Sequence, residues 1–369
     1  MPLPEPQLNP DYLVEQFAGR LLKWYRQHGR KGLPWQQNRT AYTIWLAEIM
    51  LQQTQVATVI PYYQRFLARF PDTIVLADAS IDEVLYLWSG LGYYARARNL
   101  HRAAQMIRDR HDGVFPETFD DLVALPGVGR STAGAILSQA FGQRYPILDG
   151  NVKRLLSRLH AIDEWPGKTS VEKELWLLAA YYMPNRQMAD YTQAIMDFGA
   201  TLCRRGRPAC GDCPFATDCL AHRQGREREL PVPRKSGRLP LRRSTLMLIA
   251  DAGGRILLEQ RPPTGIWGGL WSLPECGDQT DPAGWCRKKL GCEVELQEAL
   301  PPLHHTFSHF RLEITPLPAR LLDNSIGVME ACPLLWYNIR QPEACGLAAP
   351  VQRLLEQLDQ GAYINEPYR

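Results

Sequence analysis

Leu125-Pro126-Gly127-Val128-Gly129-Arg130-Ser131-Thr132 and, twenty residues after Gly129, Asp149-Gly150-Asn151 form the stretch on which the fold turns. Pro126 ends a helix running from Phe119, because proline has no amide hydrogen with which to continue the ladder. Gly127 and Gly129 allow positive φ, so the connection is tight and its backbone amides stay bare. A second helix starts through Ser131, Thr132 and Ala133. Its N-terminal amides and dipole favour an anion such as a phosphate. Glycine spacing of this kind also describes many plain connections between helices. A further helix spans Val152 to Leu159, and either Asp149 or Asn151 is its N-cap.

Outward from this stretch, a chain of 369 residues is long for one core and suggests two or three domains, and 45% hydrophobic residues suffice to fill them. The net charge of +3 is unevenly placed, with eleven Arg or Lys against four Asp or Glu between Cys203 and Arg243. Such a stretch is a polyanion-binding surface or a solvated linker. No run of eighteen apolar residues exists, so no membrane span is expected. Met1-Pro2-Leu3-Pro4-Glu5-Pro6 lacks the regions of a signal peptide, so the expected location is the reducing cytoplasm. Nine cysteines there argue against a disulfide framework.

Residues 11 to 28 place Tyr12, Leu13, Phe17, Leu21, Leu22, Trp24 and Tyr25 at helical spacing, and Gly29 stops the helix. Leu33-Pro34-Trp35 is a turn. The next helix contains Ile44-Trp45-Leu46-Ala47-Glu48-Ile49-Met50-Leu51, apolar on every side except for one acid. Burial raises the pKa of such a carboxyl and makes it a proton donor. The alternative is a structural pair with an arginine. Gln52, Gln53 and Thr54 end the same helix and offer amides and a hydroxyl to base edges or sugars. From Leu76 to Phe141 a series of short helices is expected, broken near Gly90–Gly92, Gly113–Pro116 and Pro126–Gly129. Within it, Gly92-Tyr93-Tyr94-Ala95-Arg96 sets aromatic rings beside arginines, a pattern suited to wedging a kinked duplex or to ordinary packing. Residues 171 to 202 are again helical, with Tyr191, Gln193, Asp197 and Gly199 on the last helix.

Cys203, Cys210, Cys213 and Cys219 follow within seventeen residues. Four thiols so close in a reducing compartment imply a metal site. Their spacing admits zinc or an iron-sulfur cluster, with zinc the nearer on spacing alone. Residues 224–243, rich in Arg, Gly and Pro, read as a linker. Beyond it the pattern alternates: Thr245–Ala250, Ile256–Gln260, Leu312–Leu317 and Leu334–Asn338 are strand candidates, and Val351–Leu358 is a closing helix. This is a separate α+β domain.

Together these residues resemble one family. Glu48 in Glu-Ile-Met-Leu-Gln-Gln-Thr-Gln-Val, the Gly-Leu-Gly-Tyr-Tyr-Ala-Arg loop, the hairpin, Leu-Asp-Gly-Asn-Val around Asp149 and the four cysteines are similar to the MutY adenine DNA glycosylases, within the helix-hairpin-helix superfamily. The likeness runs from about Gln16 to Leu358 and includes a Nudix-like part, through Trp267-Gly268-Gly269-Leu270-Trp271 and His305-Thr306-Phe307-Ser308-His309-Phe310.

It implies an all-α glycosylase region, 8–223, of which about 30–145 is a six-helix barrel and 8–29 with 146–223 the cluster half. A Nudix-like α+β domain, 244–360, would recognise 8-oxoguanine. It implies one [4Fe-4S] cluster on the four cysteines. Catalysis would fall to Glu48 and Asp149. DNA contacts would fall to Gln52, Tyr93, Gly127, Val128, Gly129, Ser131 and Thr132, the adenine pocket to Trp35 and Gln193, and the opposite base to Phe307, Ser308 and His309. The implied substrate is adenine opposite 8-oxoguanine or guanine in double-stranded DNA, acted on by a monomer. Relatives that also cut the strand carry a hairpin lysine where this chain has Ser131, which implies base removal without an efficient lyase step. Two rivals are a bifunctional glycosylase acting on oxidised pyrimidines and a non-enzymatic lesion-binding iron-sulfur protein. Nucleotide hydrolysis by the Nudix-like part is unlike this chain, since Cys276 to Cys292 offers only Asp278 and Asp281 where those hydrolases have a glutamate cluster.

Overall fold

The computed structural model describes residues 14–234, 237, 239–277, 280–307, 309–322 and 333–360. Tyr12, Leu13, Asp278 and Ser308 therefore lie outside the described residues. The chain divides into two compact units, one from residues 14–78 and 99–234, the other from the described parts of 79–98 and 237–360. Residues 79–98 thus group with the C-terminal part rather than with the helices that flank them in sequence.

The first unit is helical. Helix Ala41–Leu51 starts at Thr40, whose hydroxyl accepts from the Thr43 amide at 3.2 Å while Thr43 Oγ1 accepts from the Thr40 amide at 3.0 Å. Ile44, Trp45, Leu46, Ala47, Ile49 and Met50 are all buried, which is why this helix is apolar all round. It ends at Leu51, earlier than the sequence pattern suggests, because Gln53 adopts φ 61° and the left-handed residue closes the last turn. Helix Phe119–Ala124, the turn at Pro126–Gly129 and helix Arg130–Ala140 form the hairpin, and helix Arg130–Ala140 packs on Ala41–Leu51. Leu33-Pro34-Trp35 is not a bare turn but opens a one-turn helix, Pro34–Gln37. A second core gathers Phe17, Leu21 and Trp24 of helix Val14–His28 against Leu156, Tyr182, Phe198 and Phe215.

The second unit is built on a mixed sheet. Among the described residues its strands are β1 Leu241–Ala250, β2 Ile256–Gln260, β3 Trp271–Ser272, β4 Glu275–Cys276, β5 Val294–Leu296, β6 Leu303–Thr306, β7 Arg311–Leu321 and β8 Leu334–Tyr337. The order is β3-β2-β1-β7-β5; β1 and β7 are parallel and the other pairs antiparallel. The long strand β7 runs through Pro316 and on past Pro318, four residues beyond the Leu317 end expected from the sequence. It continues because these prolines only accept there, Leu300 and Gln297 donating to their carbonyls at 2.9 Å.

Candidate active site

Glu48 projects from the middle of its apolar helix with one hydrogen-bond donor, Gln139 Nε2 on the hairpin's second helix, 3.3 Å from Oε1. Burial pushes its carboxyl up to about 7, the charge on Asp149 adds to the rise, and the Gln139 hydrogen bond opposes it.

Asp149 is the N-cap of helix Gly150–Leu159. Its Oδ1 accepts from the amides of Asn151 and Val152 at 3.0 and 2.8 Å, and its Oδ2 from Asn151 Nδ2 at 2.9 Å. Burial raises this carboxyl too, while those three hydrogen bonds and the nearby Arg154 work against the rise. Of the two N-cap candidates the structure uses Asp149, which also lines the cleft described below. Two features bring the segment before it onto the hairpin. A Cβ on Gly134 would lie 2.4 Å from Pro146 O, so only glycine permits that approach. Ser131 Oγ accepts from the Leu148 amide at 3.0 Å, which gives this hydroxyl a positioning contact one residue from Asp149.

The hairpin itself differs in two respects from expectation. Gly127 has φ 79°, and a Cβ there would lie 2.9 Å from Asn99 Cβ, but Gly129 is extended at φ −91° and serves as the N-cap of Arg130–Ala140. Val128 is buried, and its amide bonds Leu125 O at 3.1 Å within the turn rather than staying bare. Gly127 and Gly129 are exposed.

Glu48 and Asp149 line the same cleft, of about 1050 Å³, together with Trp35, Gln52, Ser131, Thr132 and Gln193. Gly127, Val128 and Gly129 lie outside its lining. Tyr191 also lies outside it, buried in the second core. Arg30, Arg154, Arg204 and Arg205 add positive charge to the wall, and no sequence pattern singled out Arg30. Arg30 is held by Asp197, which is fully buried and accepts from its backbone amide at 2.8 Å and its guanidinium at 2.5 Å. Asp197 Oδ1 also accepts from Gln193 Nε2 at 2.9 Å. One carboxylate thus orients two polar groups of the pocket.

Behind Asp149, helix Gly150–Leu159 leads to the cysteines. Arg154 donates to Asn151 Oδ1 at 2.9 Å, to Gly199 O at 2.6 Å and to Cys203 O at 2.8 Å. Buried Arg158 donates to Cys203 Sγ at 3.2 Å, and the Phe215 amide to Cys213 Sγ at 3.4 Å. Cys203, Cys210, Cys213 and Cys219 line one cavity walled by Leu155, Phe198, Leu202 and Phe215. Burial pushes the Cys213 thiol up to about 12 and raises Cys210 and Cys219, so a bound cation is needed to hold these sulfurs as thiolates. Four thiols, apolar walls and donors aimed at sulfur fit a metal cluster. Cys210, His222 and Glu227 also bring ligand atoms within 4.8 Å of one another.

In the second unit, Tyr93 is 53% exposed at φ 49°. Phe307 and His309 belong to the hairpin between β6 and β7, closed by Phe307 N donating to Phe310 O at 2.9 Å. Phe307 meets Phe310, His305 and Trp267 at centroid distances of 4.5, 4.6 and 6.0 Å. Asp281 caps helix Pro282–Lys289 through Gly284 N at 2.9 Å.

This helical site and sheet unit match two family profiles. One, described as the HhH-GPD superfamily of base excision DNA repair proteins, covers residues 46–180; the other, described as a NUDIX domain, covers residues 245–357. The chain is a DNA glycosylase of the helix-hairpin-helix class carrying a C-terminal Nudix-like domain. A solved thermostable thymine-DNA glycosylase shares its helical part at 25% identity and a TM-score of 0.51, over 57% of this chain and 97% of that one. Over most of its length the chain is 38% identical to the adenine DNA glycosylase of Buchnera aphidicola subsp. Acyrthosiphon pisum (strain APS), covering 94% of this chain and 99% of that protein. It is 36% identical to the adenine DNA glycosylase of Homo sapiens, covering 81% of this chain and 66% of that protein. The chain belongs to the adenine DNA glycosylase family. Among the described residues no helix is long and apolar enough to cross a membrane.

Proposed function

We propose that the chain hydrolyses the N-glycosidic bond of adenine mispaired with 8-oxoguanine, and less readily with guanine, without an efficient strand-cutting step. The carrying observation is that Glu48, with a carboxyl near 7, and Asp149, rich in hydrogen bonds, face one cleft of a size to admit a base. Adenine must leave the stack to enter it, at a cost of a few kcal/mol. Glu48 gives its proton to adenine N7 as the C1′–N9 bond breaks, so the base departs neutral. Ionised Asp149 stabilises the cationic sugar. Glu48, now a carboxylate, takes a proton from the water that bonds to C1′. Trp35, Gln193 and Arg30 line the adenine pocket. Gln52 and Tyr93 fill the vacated stack, and the hairpin through Gly127, Gly129 and Thr132 grips the backbone. Phe307, with Ser308 and His309, reads the opposite base. The four cysteines hold one [4Fe-4S] cluster, which when bound fixes the basic loop of Arg204, Arg205 and Arg207. The protein acts as a monomer on DNA in the cytoplasm.

The test is a duplex with one adenine opposite 8-oxoguanine, incubated with enzyme and treated with alkali, beside a control in which cytosine replaces the adenine. Adenine release with strand breakage only after alkali supports the proposal. Absence of adenine release overturns it, and alkali-independent cutting overturns its monofunctional part. A sulfur-to-iron charge-transfer band in the purified protein, lost on acid treatment, checks the cluster; stoichiometric zinc in its place contradicts it.

A further inference from the structure

The Tyr93 loop is a built object rather than a loose connection. Ser80 caps helix Ile81–Trp88 through the Glu83 amide at 3.2 Å. Trp88 Nε1 then donates to Gly92 O at 3.1 Å, and Arg96 donates to the carbonyls of Leu91 and Gly92, both at 3.2 Å. The Arg96 guanidinium also lies 5.4 Å from the Trp88 ring and 5.5 Å from the Tyr93 ring. A tyrosine in the left-handed region costs energy and persists only where its surroundings over-determine it, as these contacts do for Tyr93 at φ 49°. The consequence is an exposed ring on a rigid mount.

That mount is seated on the sheet unit. Gln260 Nε2 donates to Asp82 Oδ1 at 3.1 Å, Ser89 Oγ to Gln352 Oε1 at 2.9 Å, and Tyr94 OH to Leu347 O at 3.4 Å. Leu85 is fully buried there, and a Cβ on Gly346 would lie 2.7 Å from Leu85 Cβ. Arg98 donates to the carbonyl of Gly268. Gly268 follows Trp267, itself at φ 54°, whose ring lies 6.0 Å from both His305 and Phe307. The backbone gripped by Arg98 is therefore the backbone that carries the aromatic floor of the β6–β7 hairpin.

We infer that Arg98 and Trp267 are positioning residues that join the Tyr93 wedge and the Phe307–His309 hairpin into one reader, so that insertion into the stack and recognition of the base opposite adenine occur together. This rests on the proposed role of Phe307 at the opposite base. Neither residue touches the reacting atoms. Their effect appears as coupling: with the hairpin intact, a shifted wedge costs discrimination, and with the hairpin reading removed there is nothing left to lose.

The experiment is a double-mutant cycle on the full-length protein, with single-turnover adenine release measured opposite 8-oxoguanine and opposite guanine. Arg98→Ala is expected to slow release opposite 8-oxoguanine about tenfold, and more than opposite guanine, yet to add little in a Phe307→Ala background. Trp267→Ala should behave alike and Trp267→Phe should restore the ratio. A 2-aminopurine stacked beside the 8-oxoguanine should brighten less on binding Arg98→Ala than on binding the unmutated protein. Should Arg98→Ala fail to fold, Arg98→Lys and Gly346→Ala, which presses on Leu85, carry the same cycle. Equal loss in both backgrounds overturns the coupling and leaves the role of Phe307 standing. An unchanged ratio in Phe307→Ala alone overturns both.

Discussion

The surroundings of Glu48 and Asp149 differ more than the residues do. Both carboxyls are raised by burial and both face the same cleft. Glu48 stands on a helix that offers it one side-chain donor, at 3.3 Å. Asp149 stands at a helix N-terminus, with three donors at 2.8 to 3.0 Å and Arg154 close by. Burial raises both carboxyls, but the hydrogen bonds that oppose the rise are three at Asp149 and one at Glu48. In the proposed mechanism the helix interior holds the acid and the helix start, where the dipole favours negative charge, holds the anion.

The largest test of this contrast exchanges each group for its neutral isostere. Glu48→Gln and Asp149→Asn should each slow adenine release by about 10³-fold or more while duplex binding is kept. Asparagine caps helices as well as aspartate does, so loss of the Asp149 charge can be read without loss of the fold. Next, Asp197→Asn removes the charge that holds Arg30 and weakens its grip on Gln193. Release should fall roughly a hundredfold with little change in duplex affinity, measured by single-turnover kinetics across enzyme concentration. Gln139→Leu removes the donor that lowers the Glu48 carboxyl, so the alkaline limb of the rate profile should move upward by roughly one pH unit.

The smallest effect concerns stability and has a definite sign. Native Glu48 keeps its proton up to about 7, whereas the unfolded chain releases it near 4.5. Stability therefore declines between those two values and carries the full cost of the buried charge above them. Glu48→Gln should accordingly be more stable than the unmutated protein by about 3 kcal/mol above pH 8, and equal to it below pH 4, by denaturant unfolding.

The same contrast explains what could be read from the sequence. Glu48 is legible because one acid in an otherwise apolar octet has no surface face to occupy. Asp149 is legible by its place after the hairpin, and the cysteines by their crowding. Asp197 and Arg30 are not, because their bond joins residues 167 apart in sequence and no local pattern marks either. Ser131 belongs to a recognisable phrase, but its hydrogen bond to Leu148 depends on how closely Gly134 lets the chain return. Strands β3, β4 and β5 are two or three residues long, too short for alternation to register. The grouping of residues 79–98 with the sheet unit rests on contacts of Leu85, Tyr94 and Arg98 that pattern cannot forecast.

The division of labour between the two carboxyls is tested most directly by the pH dependence of single-turnover adenine release opposite 8-oxoguanine, with Glu48→Gln as the control. A proton-giving Glu48 predicts a rate that falls about tenfold per pH unit above about 7 and a control reduced at every pH. A rate level to pH 9, or a control that releases adenine normally, would contradict it.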